Sequence, residues 1–232
     1  MIKEELIRRS PVRLFEKSLH GGLNSGEIGI IAAPSGIGKT SVLVQIAMDK
    51  LLQDEKVIHV SFSKHTDYVL SWYEDIFEEF TSKKNLEHAR EVKDELVKNR
   101  VILNFNQDGV TEEQILKSLC SLMTDGGFNA TSVIVDGFDF SRTNRRGIEA
   151  VKASAKKLGI SFWYSCNVME NAFNNKKIPL VIGDYLDMID IVIVLEPRSD
   201  HIQLIASKDR NALDPEHLAS ALDPKTLLIL EN

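Results

Sequence analysis

The chain has 232 residues, 43% hydrophobic and 27% charged, with a formal net charge of −6. That length suits a single α/β domain with a large buried core, and the composition excludes disordered, collagen-like and disulfide-rich classes. The acidic balance argues against a protein that coats nucleic acid through its overall field.

The opening "MIKEELIRRS" carries charges where a signal peptide needs an apolar run. The longest apolar stretch, around "MIDIVIVLEP", is too short and interrupted to span a bilayer, so a cytoplasmic protein with no membrane partner is expected. "LHGGLNSGE" is a turn-rich approach to "IGIIAA", the kind of apolar run that makes a fully buried parallel strand. A helix is expected from Lys39 to Gln53, with Val42, Leu43, Ile46, Ala47 and Leu51 on one apolar face. "KVIHVSF" reads as a second strand. "HTDYVLSWYEDIFEEF" and the charged "NLEHAREVKDELVKN" read as helices, and "RVILNF" as a third extended segment.

Thr111 before Glu112 and Glu113 marks a helix start, and "ATSVIVDGFDF" is a further buried strand. A helix around "IEAVKASAKKLG" ends at Gly159 and leads to the strand "ISFWYSC". Strands alternating with helices predict a parallel sheet covered on both faces. "MIDIVIVLEP", "HIQLIASKD" and "TLLILEN" follow one another closely and predict a C-terminal antiparallel extension. Cys120 and Cys166 are far apart, lack metal-type spacing and read as reduced core thiols. Tyr68, Trp72, Tyr73, Phe77 and Phe80 recur at helical spacing as a core stripe, with a partner-binding face as the alternative.

Chemistry concentrates in Ala33, Pro34, Ser35, Gly36, Ile37, Gly38, Lys39, Thr40 and Ser41, which follow an apolar strand and open a helix. Glycines there let successive backbone N–H groups curl into an anion nest at the positive end of a helix. Lys39 can reach the outer phosphates of a nucleotide, and the Thr40 hydroxyl can ligate the magnesium ion that bridges them. Asp136, closing "SVIVD", is the matching strand-end carboxylate for Mg2+.

These residues give the chain a resemblance to the RecA-like P-loop ATPases, closest to the KaiC proteins and to the motor domains of DnaB-type helicases. The run "HGGLNSGEIGIIAAPSGIGKTSVLVQIA" is similar to their entry segment, "SVIVDGFDF" to their magnesium-binding strand and "FWYSCN" to their γ-phosphate-sensing strand. The resemblance implies a RecA-like α/β domain over residues 21–232 that binds ATP and Mg2+ and works as a homo-oligomer. It leaves 1–20 as a leading segment whose Ile2, Leu6 and Ile7 are available to a neighbour. "IASKDRN" resembles the K-x-R segment of these families, so Lys208 and Arg210 map onto residues that reach a neighbouring subunit's nucleotide; a charged turn is the alternative.

One departure bears on catalysis. Where these families carry a glutamate that polarises the attacking water, "VSFSKH" places Ser63, which cannot accept a proton at neutral pH. Asp139 and His65 are the substitutes, against plainer readings as a loop cap and a loop histidine. Two basic loops, with Arg142, Arg145 and Arg146 and with Lys176 and Lys177 near Phe173, lie where such rings face DNA. Three functions follow: a slow oligomeric ATPase, a nucleotide-gated binding or assembly module with an unidentified protein partner, and a single-strand nucleic-acid translocase.

Overall fold

In a computed structural model, residues 2–8, 10–62, 66–82, 89–106, 108–169 and 171–231 are described. Its core is a sheet with strand order β3-β2-β4-β5-β1-β6-β7-β8-β9. The strands are β1 (Ile28–Ala33), β2 (Val57–Ser61), β3 (Arg100–Asn104), β4 (Ser132–Asp136), β5 (Ser161–Asn167), β6 (Ile191–Pro197), β7 (Ile202–Asp209), β8 (Glu216–Leu222) and β9 (Ile229–Glu231). From β3 to β6 all neighbours pair in parallel, and β7, β8 and β9 add antiparallel strands at the other edge.

The apolar runs of β1, β2 and β4 are buried along their whole length, as parallel strands covered on both faces must be. On one face lie α1 (Ile2–Arg8), α2 (Val12–Ser18), α3 (Lys39–Leu52), α4 (Thr66–Ser82) and α5 (Ala89–Lys98). On the other lie α6 (Glu112–Thr124) and α7 (Arg145–Leu158) with a 3-10 helix, Leu180–Met188. Thr111 caps α6 in a reciprocal capping box with Gln114, and α7 stops at Gly159, whose φ of +69° suits a residue without a Cβ. Among the described residues no helix is long and apolar enough to cross a membrane.

Two expectations change. Leu6, Val12, Phe15 and Leu19 pack on their own chain, buried in the same cluster as α3, and the Phe15 ring lies 6.3 Å from that of Trp163. The C-terminal extension gains a strand, β8, hidden in the sequence by the polar start of "EHLASAL", whose first two residues are exposed. "MIDIVIVLEP" also joins β1 in parallel before the antiparallel run begins.

Gly29 sets a steric limit at the centre of the sheet. A Cβ there would lie 2.5 Å from Cε3 and Cζ3 of Trp163, its cross-strand partner. Gly29→Ala should therefore cost about 1–3 kcal/mol by overpacking. Urea unfolding checks this, and an unchanged midpoint would mean that Trp163 does not lie across β1.

Candidate functional site

α3 leaves β1 on one face and α7 leaves β4 on the other, so a crevice opens at the carboxyl ends of these strands, the usual place for a ligand in open α/β sheets. The loop from β1 to α3 fills one side of it. Gly36 and Gly38 have φ of +83° and +105°, and Gly38 caps α3 without a side-chain hydrogen bond. The first turn of α3 thus begins as an uncapped helix N-terminus, the arrangement that favours an anion.

The Lys39 side chain curls back over this loop, and its Nζ donates to Ala33 O at 3.1 Å and Pro34 O at 2.7 Å. Burial draws its pKa below the ordinary lysine value, with Asp136 and Cys166 acting in the opposite sense. The Thr40 hydroxyl donates to Asp136 Oδ2 at 2.8 Å, so the two expected metal ligands, on different elements, meet directly. Hydroxyl and carboxylate oxygens suit a hard cation such as Mg2+, which keeps most of its shell as water and phosphate.

Ser41 lies differently from expectation. Its side chain is fully buried and its Oγ donates to Leu227 O at 2.7 Å, so the hydroxyl faces the protein. Gln45 donates to the same carbonyl and accepts from Ile229 N. Together they clamp the turn at 223–228 against α3, holding Leu227 at a φ of +55° with its side chain 3.4 Å from where a Cβ on residue 38 would stand. Ile37 packs on the core and Pro34 lines a separate cavity of about 440 Å³ with Phe173 and Lys177, so neither side chain faces the cleft.

The cleft itself holds about 270 Å³. Opposite the loop it is walled by Ser61 and Phe62 at the end of β2, by Asp136 and Gly137 at the end of β4, and by Ser165 and Asn167 on β5. Ser165 Oγ accepts from Gly137 N at 2.7 Å, fixing the peptide just after Asp136. Tyr68 and Trp72 of α4 form a third wall, edge to face at 6.3 Å, with Leu227 also lining the space. The aromatic stripe therefore divides: Tyr73, Phe77 and Phe80 are buried in the core, whereas Tyr68 is half exposed at the cleft. Helical spacing could not separate the two groups, because all five lie on neighbouring turns.

Asp136 is the only carboxylate among the described residues lining this cleft. Ser63 and His65 lie outside the described residues. Asp139 accepts from the backbone N and the hydroxyl of Ser141 at 3.0 and 2.7 Å, capping a short 3-10 helix, Phe140–Arg142. It lines a neighbouring cavity of about 200 Å³ with Phe138 and Arg142 rather than the loop cleft.

Lys208 and Arg210 stand at the opposite end of the sheet, where β7 pairs with the start of β6. Lys208 Nζ donates to Leu186 O and Ile189 O at 2.7 and 2.5 Å, and the side chain is buried. Arg210 binds both oxygens of Glu27 at 3.1 and 2.9 Å, and also Gly22 O and Asp209. Within this single chain both fasten elements of their own chain, where the resemblance implied a reach to a neighbouring subunit's nucleotide.

The basic loops are similarly occupied. Arg142 pairs with Asp108, Arg145 with Asp187 and Glu149, Lys176 with Asp214 and Lys177 with Glu196. Exposed pairs of this kind add little stability, but they cancel the positive field that a phosphate backbone would need. Compared with known proteins, the chain matches no family model and no curated protein.

Proposed function

We propose that the cleft binds a nucleoside triphosphate, ATP by the resemblance to RecA-like P-loop proteins, together with Mg2+. The observation that carries this reading is the convergence of a positive-φ glycine loop, a buried lysine and a Thr40–Asp136 pair on one cleft. Backbone N–H groups at the start of α3 would hold the inner phosphates, and Lys39 would exchange its two carbonyl partners for the outer ones. A bound magnesium ion would supply charge bridging the outer phosphates, with Thr40 and Asp136 as its protein ligands. Tyr68 and Trp72 offer stacking faces for a base on the side of the cleft closed by Leu227.

A nucleotide-gated binding module is favoured over a slow oligomeric ATPase. Among the described residues of the cleft no second carboxylate stands ready as a base for the attacking water, and loss of such a group typically slows the reaction about a hundred- to ten-thousand-fold. Self-association, expected from the resemblance, has no support from Lys208 or Arg210, which are bound within the chain. A nucleic-acid translocase has the least support, since most of its basic residues are paired.

Tryptophan emission tests the reading. The chain has two tryptophans; Trp163 is buried under the sheet and Trp72 lines the cleft. Magnesium-ATP should change the emission saturably, and Trp72→Phe should remove that response while leaving binding measurable by calorimetry. No response and no heat in the parent chain would reject the nucleotide reading.

A further inference from the structure

His59 is a fully buried polar residue in the middle of β2 that the nucleotide reading does not use. β2 and β4 pair in parallel, with His59 opposite Ile134 and Ser61 opposite Asp136. Side chains two residues apart in a strand share a face, so His59 and Asp136 are diagonal neighbours on the face covered by α3 and α4. On the α4 side, His59 Nδ1 lies 3.1 Å from the Tyr73 hydroxyl and the two rings meet edge to face at 5.6 Å. The Arg100 guanidinium lies over the Tyr73 ring at 4.0 Å.

The other ring nitrogen, Nε2, is buried with no hydrogen-bond partner among the described residues. Leaving a buried polar atom unpaired typically costs about 1–3 kcal/mol, so its presence calls for a reason. A Tyr73 hydroxyl that donates to Nδ1 leaves the ring proton on Nε2, making that atom a donor. Asp136 Oδ2 accepts from Thr40 in this state.

We propose that His59 is a positioning residue for the cation site, with its Nε2–H kept for the Asp136 carboxylate when a divalent cation draws Thr40 and Asp136 onto itself. The idea rests on the nucleotide reading of the cleft. A neutral imidazole is the form required, and burial pushes the His59 pKa down to about 4, with the Asp136 charge acting in the opposite sense. Groups that orient a metal ligand in this way typically change metal affinity by about ten- to a hundredfold when removed. Tyr73 fixes the tautomer, so α4, which also carries Trp72, is tied to the same carboxylate.

The test is the magnesium dependence of ATP binding, followed by calorimetry with the whole chain. His59→Phe keeps a ring of similar size in the core. It should leave affinity in EDTA unchanged while shifting the magnesium midpoint upward about tenfold or more. His59→Gln, which restores an N–H donor, should recover part of the shift, and Tyr73→Phe, which frees the tautomer, should show a smaller one. An unchanged magnesium midpoint in a folded His59→Phe, or equal losses with and without magnesium, would overturn the inference while leaving the nucleotide reading intact. If His59→Phe does not fold, an unshifted midpoint in Tyr73→Phe overturns it instead. A parent chain that binds no ATP under either condition would remove both.

Discussion

Lys39→Ala should weaken triphosphate binding on the order of a hundredfold and leave nucleoside monophosphate binding nearly unchanged. The ammonium group lies at the mouth of the glycine loop and, among the described residues, donates only to the carbonyls of Ala33 and Pro34, so the outer phosphates are the partners it would gain. Charge-assisted hydrogen bonds of this kind contribute about 1.5–3 kcal/mol each, and roughly 3 kcal/mol is about two decades of affinity. The unliganded variant should stay folded. Burial lowers the Lys39 pKa, so the folded state disfavours the charged form, and removing that charge relieves a desolvation cost. Calorimetric titration with ATP and AMP, beside thermal unfolding, checks both parts. Equal losses for the two nucleotides would detach Lys39 from the outer phosphates.

Phe15→Ala should destabilise the chain by about 3–5 kcal/mol, the range for truncating a large buried aromatic. Phe15 is fully buried between α2 and the sheet, near the Trp163 ring, although it belongs to a segment whose sequence reads as a charged leader. Charged partners reinforce the seat: Arg13 meets the buried Asp49 of α3 at 3.2 Å. Urea unfolding at two protein concentrations is the measurement. A loss below about 1 kcal/mol, or one that disappears on dilution, would place the segment against another molecule instead of its own core.

The parts of this fold that were legible in the sequence are those with strong local signatures. β1, the glycine loop and α3 announce themselves through an apolar run, two glycines and a helical apolar face, and Asp136 through its place after "SVIV". Features made by long-range contacts were not legible. Leu227 reaches the cleft only because Ser41 and Gln45, far earlier in the chain, bind its carbonyl. Lys208 and Arg210 spell a K-x-R segment, yet their partners include carbonyls of distant residues and Glu27, which no local spacing reveals. Tyr68 and Tyr73 look alike in a helical stripe, and only the packing of α4 turns one to the cleft and the other to His59.

Calorimetric titration of the whole chain with a non-hydrolysable ATP analogue in magnesium, set beside the Lys39→Ala variant, addresses the cleft itself. A triphosphate site at 33–41 predicts one saturable binding event per chain, weakened by EDTA and lost over the same concentration range in the variant. No heat from the parent chain, or the same affinity in parent and variant, would contradict it.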